Sequence, residues 1–295
     1  MDTETIFSKI GQELFQTHET RKKLYSKIEE TLKKPIVCYF TSFVYPVMID
    51  DSDVNMLEQV LRTMPLQDGF YLVINSPGGD GLAAERIINL CRSYSGTKNF
   101  TAIVPGKAKS AATMICLGAD EIWMGVSSEL GPIDPQITIQ ESTGVAKRFS
   151  IYNIIESYKE LTEKAVTSQG HIEPYLQQLA RYDAREIKGY EAAFDLSKDI
   201  AMKALKTGMM KTMDNKAIER KIVGFLDPSK TKSHGRPIFR DESQKCGLKI
   251  VSGETHEVWD LIYELYFRLD SLLTRQVAKC VESATGSFTM PVPAK

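Results

Sequence analysis

From Lys34-Pro35 onward, short apolar runs ending in turn residues alternate with helical segments, and that alternation leaves few folds open to the chain. IVCYF (36–40), FYLVINS (70–76), FTAIVP (100–105) and EIWMG (121–125) have the composition of buried strands. Between them, the stretch from Asp51 to about Met64, GLAAERIINLCRSY and SAATMICLGA (110–119) read as helices, with Ala83, Ile87, Leu90 and Cys91 on one face of the second. Right-handed crossovers turn such units into a mostly parallel sheet with helices packed against it. The expected class is therefore α/β.

The flanks read differently. Ile6, Ile10, Leu14, Leu24 and Ile28 recur at helical intervals among charges, so 1–34 is expected to be an amphipathic helix, docked on the core or on a second copy. The core is assigned to 35–140. Residues 141–253 are read as an exposed loop or flap (ESTGVAKRFS, 141–150), a helical subdomain without a clear strand, one long helical run started at Pro174, and a turn-rich loop (227–238) that returns to the core. Residues 254–295 are read as an amphipathic helix over 254–270 and a tail that is loose after about Gly286. Apolar stripes at both ends predict a homo-oligomer.

A net charge of -1 supplies no basic field for nucleic acid or an anionic membrane. The first 34 residues contain no uninterrupted apolar stretch, which argues against a secretory signal or a membrane span. The five cysteines have no CxxC spacing, and at least three lie in apolar runs, so they are read as reduced core thiols of a cytoplasmic protein. His18, His171 and His256 have no ligand spacing and are read as surface residues, so no metal is expected. Met202, Met209, Met210 and Met213 are read as helix packing.

Two strand-to-helix junctions carry the chemistry, because ligands of parallel α/β sheets bind at the carboxyl ends of strands. In NSPGGD (75–80), Pro77-Gly78-Gly79 permits a backbone path in which an amide can point into a cleft. In GKAKSAAT (106–113), Ser110 opens a helix, its hydroxyl beside unpaired amides such as that of Ala111. A hydroxyl beside two converging N–H donors is what acyl transfer requires. Each part also has a plainer explanation, since a serine at a helix start is most often an N-cap and PGG most often a turn. Neither GxGxxG nor GxxxxGK[ST] occurs, which weakens nucleotide readings.

INSPGGDGLAAERI, IVPGKAKSAATMICLGADEIWMG, SSELGPIDPQI, DIAMKAL (199–205) and SHGRPIFRDESQKCGL (233–248) together resemble, in order, five blocks of the serine dehydrogenase proteinase family. That family is related to signal peptide peptidase A and to the proteolytic subunit of Clp protease. The resemblance implies a Clp-protease/crotonase-like core with helical N-terminal and C-terminal extensions, and a serine peptidase with no cofactor. It implies Ser110 as nucleophile and the Gly78 and Ala111 amides as the oxyanion hole. The chain departs from the pattern at Ala111, where relatives often carry glycine, and at SHG in place of THD.

Two proton acceptors remain open. Lys203, in DIAMKAL, is one, acting as a desolvated amine in the manner of signal peptide peptidases. His234, in SHGRPI, is the other and is preferred, with Asp134 of GPIDP orienting it. The expected partner is a peptide or protein substrate. The rivals are a crotonase-type acyl-CoA enzyme and a non-catalytic scaffold on the same fold.

Overall fold

The computed structural model describes residues 5, 6, 8, 10, 17–96, 98–140, 146–168 and 170–292. Its first half runs α1 (His18–Leu32), β1 (Ile36–Thr41), α2 (Asp51–Leu61), β2 (Phe70–Asn75), α3 (Gly81–Ser95), β3 (Phe100–Val104), β4 (Lys107–Ala108), α4 (Ala111–Leu117), β5 (Glu121–Met124) and β6 (Glu129–Leu130). A hairpin of β7 (Gln136–Gln140) and β8 (Ala146–Ser150) leads into α5 (Ile151–Thr167), α6 (Glu173–Leu179), α7 (Ala184–Thr207), α8 (Asn215–Leu226) and α9 (Pro228–Thr231). The chain then returns through β9 (Ile238–Phe239), α10 (Arg240–Lys245), β10 (Ile250–Ser252), α11 (Trp259–Arg275), β11 (Val277–Ser283) and β12 (Ser287–Pro291).

Seven strands form the central sheet in the order β10-β5-β3-β2-β1-β11-β12. The first five are parallel; β11 runs antiparallel to β1, and β12 antiparallel to β11. Side chains alternate between two apolar layers, as the period of a strand requires. Val37, Tyr39, Leu72 and Ile74 face the layer built from α2, α3, α4, α7 and α8. Ile36, Cys38, Phe40 and Val73 face the layer that α1 and α11 cover. Local signals set the helix starts: the side chains of Asp50, Asp80, Asp183 and Asp214 each accept from a backbone N–H in the first turn. Among the described residues, no helix is long and apolar enough to cross a membrane.

Three local expectations are corrected. The stretch 146–150 is a strand rather than a loop, with 141–145 outside the described residues. The run started at Pro174 is two helices, because Asp183 caps a new one. The tail is not loose: β12 pairs on β11 from Val277↔Pro291 to Glu282↔Ser287. The terminal stripes also find each other. Leu24, Tyr25, Ile28 and Leu32 of α1 pack in one cluster with Ile262, Leu265, Leu269 and Leu272 of α11, while Ile10 is buried, Ile6 is half-buried and Leu14 lies outside the described residues.

Candidate active site

Beside the main sheet lies a second, three-stranded one in the order β4-β6-β9. It is extended by a bridge between Ser76 and Ala108, held by Ser76 N–H to the Lys107 carbonyl at 2.9 Å and Lys109 N–H to the Ser76 carbonyl at 3.0 Å. Each member of this small sheet delivers one candidate. Ser76 leads into the glycine loop, Ala108 into Ser110, Leu130 into Asp134, and Ile238 follows His234.

Ser110 sits at φ 50°, ψ -118°, a conformation that costs a residue with a Cβ about 1–3 kcal/mol and persists only where its surroundings impose it. Ala112 N–H to the Lys109 carbonyl (2.9 Å) and Met114 N–H to the Ser110 carbonyl (3.1 Å) close the turn around it. It occupies the N-cap position of α4, yet its side chain makes no capping hydrogen bond. Ser110 lines a cavity of about 660 Å³ together with Gly79, Ala111 and His234.

The glycine loop refines the expected donor. Gly78 has φ 98° and packs against the serine turn so closely that a Cβ there would come within 2.7 Å of the Ser110 Cβ. Its N–H, however, donates to Ser76 Oγ at 3.2 Å. Among the described residues, the N–H groups of Gly79 and Ala111 have no acceptor, and both residues line the cavity. Two such amides beside a hydroxyl can hold an oxyanion. Gly79 was open to detection as the second glycine of PGG, but only the pairing of Ile49 beside it, with Asp80 N–H on the Ile49 carbonyl at 2.9 Å, shows which amide stays free.

His234 Nδ1 lies 2.8 Å from Asp134 Oδ1, with side chains 20% and 2% exposed. A carboxylate this buried needs a partner, and donation from Nδ1–H leaves the other imidazole nitrogen as an acceptor. No hydrogen bond joins Ser110 Oγ to His234 in this structure, and unliganded catalytic hydrogen bonds are often long until substrate binds. Thr113, which sequence reasoning missed, clasps the Asp134 segment: its Oγ1 donates to the Ala108 carbonyl at 2.7 Å and accepts from Gly131 N–H at 3.0 Å.

Lys203 is placed elsewhere. Its side chain is 67% exposed, its Nζ bonds Glu85 Oε1 at 2.6 Å, and it lines a separate small cleft between α3 and α7. The hydrogen bond to Glu85 raises its pKa, the opposite of what a neutral amine base needs. Lys109 lies much nearer: burial pushes its ammonium down against the opposing pull of Glu129. Lys279 also lines the cavity; it is 1% exposed and bonds Asp50 at 2.6 Å and Asp53 at 2.9 Å, so its charge there is compensated. Burial pushes the Asp53 carboxyl above its ordinary range, against the bonds from the Asp50 N–H and Lys279.

The other singled-out residues find plain partners. His18 bonds the Ser283 carbonyl at 2.8 Å, and His256 stacks on Trp123 at 4.6 Å, so neither is a free surface residue; His171 is exposed. Met210 is buried, with Met202, Met209 and Met213 packed against the same core. All five cysteines are free thiols. Among the described residues no cluster of three or more His, Cys, Asp or Glu side chains is arranged to hold a metal ion.

Two uncharacterized proteins of Methanocaldococcus jannaschii are 27% and 26% identical to the chain over 220 residues. The match covers 75% of this chain and 64% and 65% of those proteins, so the chain spans just under two thirds of their length. Among solved structures, two mutants of the 1510-N membrane-bound stomatin-specific protease, one in complex with a substrate peptide, align with TM-scores of 0.30 and 0.31. They are 21% and 17% identical, over 45% and 48% of this chain and 61% and 70% of theirs. A family model described as ClpP-like SDH-type serine proteinase matches residues 19–169, which include β1–β8, the glycine loop, Ser110 and Asp134. The chain belongs to the family of ClpP-like SDH-type serine proteinases.

Proposed function

We propose that the chain is a serine endopeptidase that hydrolyses peptide bonds through an acyl-enzyme on Ser110. The observation that supports this reading is the strained turn at Ser110, a residue that lines the cavity and whose side chain makes no capping bond. A structural N-cap would spend its hydroxyl on the helix. In the proposed reaction Asp134 accepts from Nδ1–H of His234 and so keeps the other ring nitrogen free to take the Ser110 proton. Ser110 Oγ attacks the peptide carbonyl, and the developing oxyanion is held by the amides of Ala111 and of Gly79, which replaces Gly78 in that role. The protonated imidazole gives its proton to the leaving amine, and His234 then activates the water that releases the acyl group. Lys203 has no part in this scheme.

A fluorophosphonate probe should label the folded chain on Ser110 and leave Ser110→Ala unlabelled. The Ala variant should unfold at nearly the wild-type temperature, because no capping bond is lost. Equal labelling of both proteins would refute the assignment.

A further inference from the structure

Away from the cavity that holds Ser110, α8, α9 and α10 border a second, open cleft of about 400 Å³, within the size range of small-ligand sites. Its charge is one-sided. Arg220, Lys221, Lys230 and Lys245 line it against the single carboxylate of Glu242, which Arg236 already engages at 2.8 Å. Among the described residues none of those four cations has an ion-pair partner, although the whole chain has a net charge of -1.

Two glycines allow close approaches beside the cleft. A Cβ on Gly224 would lie 2.9 Å from Cys246 Sγ, and one on Gly247, at φ 80°, would collide with the folded Lys221 side chain. Folding has thus gathered four like charges around one open concave surface, where they repel one another. An anion with several charges relieves that repulsion, and phosphate oxygens match lysine and arginine donors.

We infer that the cleft between α8, α9 and α10 binds a small ligand carrying two or more phosphate groups. This site stands apart from the serine chemistry and does not depend on it. Cys246 provides the reporter, because it lines the cleft and is half-buried while the other four cysteines are buried.

The test follows alkylation of Cys246 by N-ethylmaleimide, read by mass spectrometry, with inorganic tripolyphosphate as the probe and sodium chloride at equal ionic strength as the comparison. Tripolyphosphate should slow the reaction saturably, about tenfold at about ten times its Kd. Chloride should leave the rate unchanged. Arg220→Gln with Lys245→Gln should keep the unliganded rate, because the cations that pull the Cys246 thiol down are Lys221 and Lys230, and should lose the protection. No slowing, equal slowing by chloride, or protection that survives in the double variant would overturn the inference, as would protection by an oligonucleotide but not by tripolyphosphate.

Discussion

Asp134 and His234 each stand four positions from the paired couple Leu130 and Ile238, one after it and one before, and their side chains meet at 2.8 Å. The pairing of β6 with β9 brings their two segments side by side, a turn closed by Arg236 N–H on the Ser233 carbonyl at 3.1 Å carries His234, and β4 on the other edge of β6 leads into Ser110. A two-residue ladder on each side is enough to bring together three segments spread over more than 120 residues of sequence.

If His234 is the base, His234→Ala should lower the rate of peptide hydrolysis, or of probe labelling, by about 10²–10⁴-fold. Lys203→Ala should change it by no more than about twofold, since an exposed ion pair such as Lys203 with Glu85 contributes under about 1 kcal/mol even to stability. Initial rates of the two purified variants decide the matter. The reverse ranking would transfer the proton to Lys203 and contradict the placement of that side chain.

What the sequence could disclose divides along these contacts. Ser110 and the glycine loop are local motifs, legible because each lies at one strand-to-helix junction. The partnership of Asp134 with His234 carries no periodic signal, since strands of two residues leave no pattern, and only the likeness to known blocks suggested it. β11 was hidden for another reason. Lys279 and Glu282 sit inside it at 1% and 0% exposure, and two internal charges erase the apolar signature by which a buried strand is recognised. Those charges are tolerable only because Asp53 and Arg21, far away in sequence, neutralise them.

Lys109 ties the site together from behind. Its Nζ reaches the Leu130 carbonyl at 3.2 Å, the Arg236 carbonyl at 3.5 Å and Glu129 at 3.0 Å, so one side chain spans the segments that carry Ser110, Asp134 and His234. Lys109→Met keeps the stem but removes the bonds. It should lower kcat by up to about 10²-fold through misplacement of the base, with KM little changed. Lys107→Met, whose ammonium is 4.0 Å from Glu129 and 55% exposed, serves as the control and should behave like wild type. A fall confined to KM, or equal falls in both variants, would remove Lys109 from a positioning role.

The apolar stripes at the two ends of the chain were the reason to expect a homo-oligomer, and in the folded chain α1 and α11 spend them on each other. α1 is also fastened to β11 by Arg21, whose Nε and a terminal nitrogen each lie 2.6 Å from one oxygen of Glu282, both side chains being buried. Removing one partner of such a pair strands a buried charge, so Glu282→Leu should cost about 3–5 kcal/mol of unfolding free energy. Arg21→Met with Glu282→Leu should recover most of that loss, because two apolar side chains then fill the space without a charge. Urea unfolding of the three proteins measures both steps. The same contacts decide what deletion of residues 1–32 does: it uncovers Ile262, Leu265, Leu269 and Leu272, and the protein should lose stability and aggregate. Light scattering distinguishes this from a true interface, for which the deleted chain would be a stable, soluble particle of lower mass than the parent assembly. That outcome would show α1 serving a neighbouring copy.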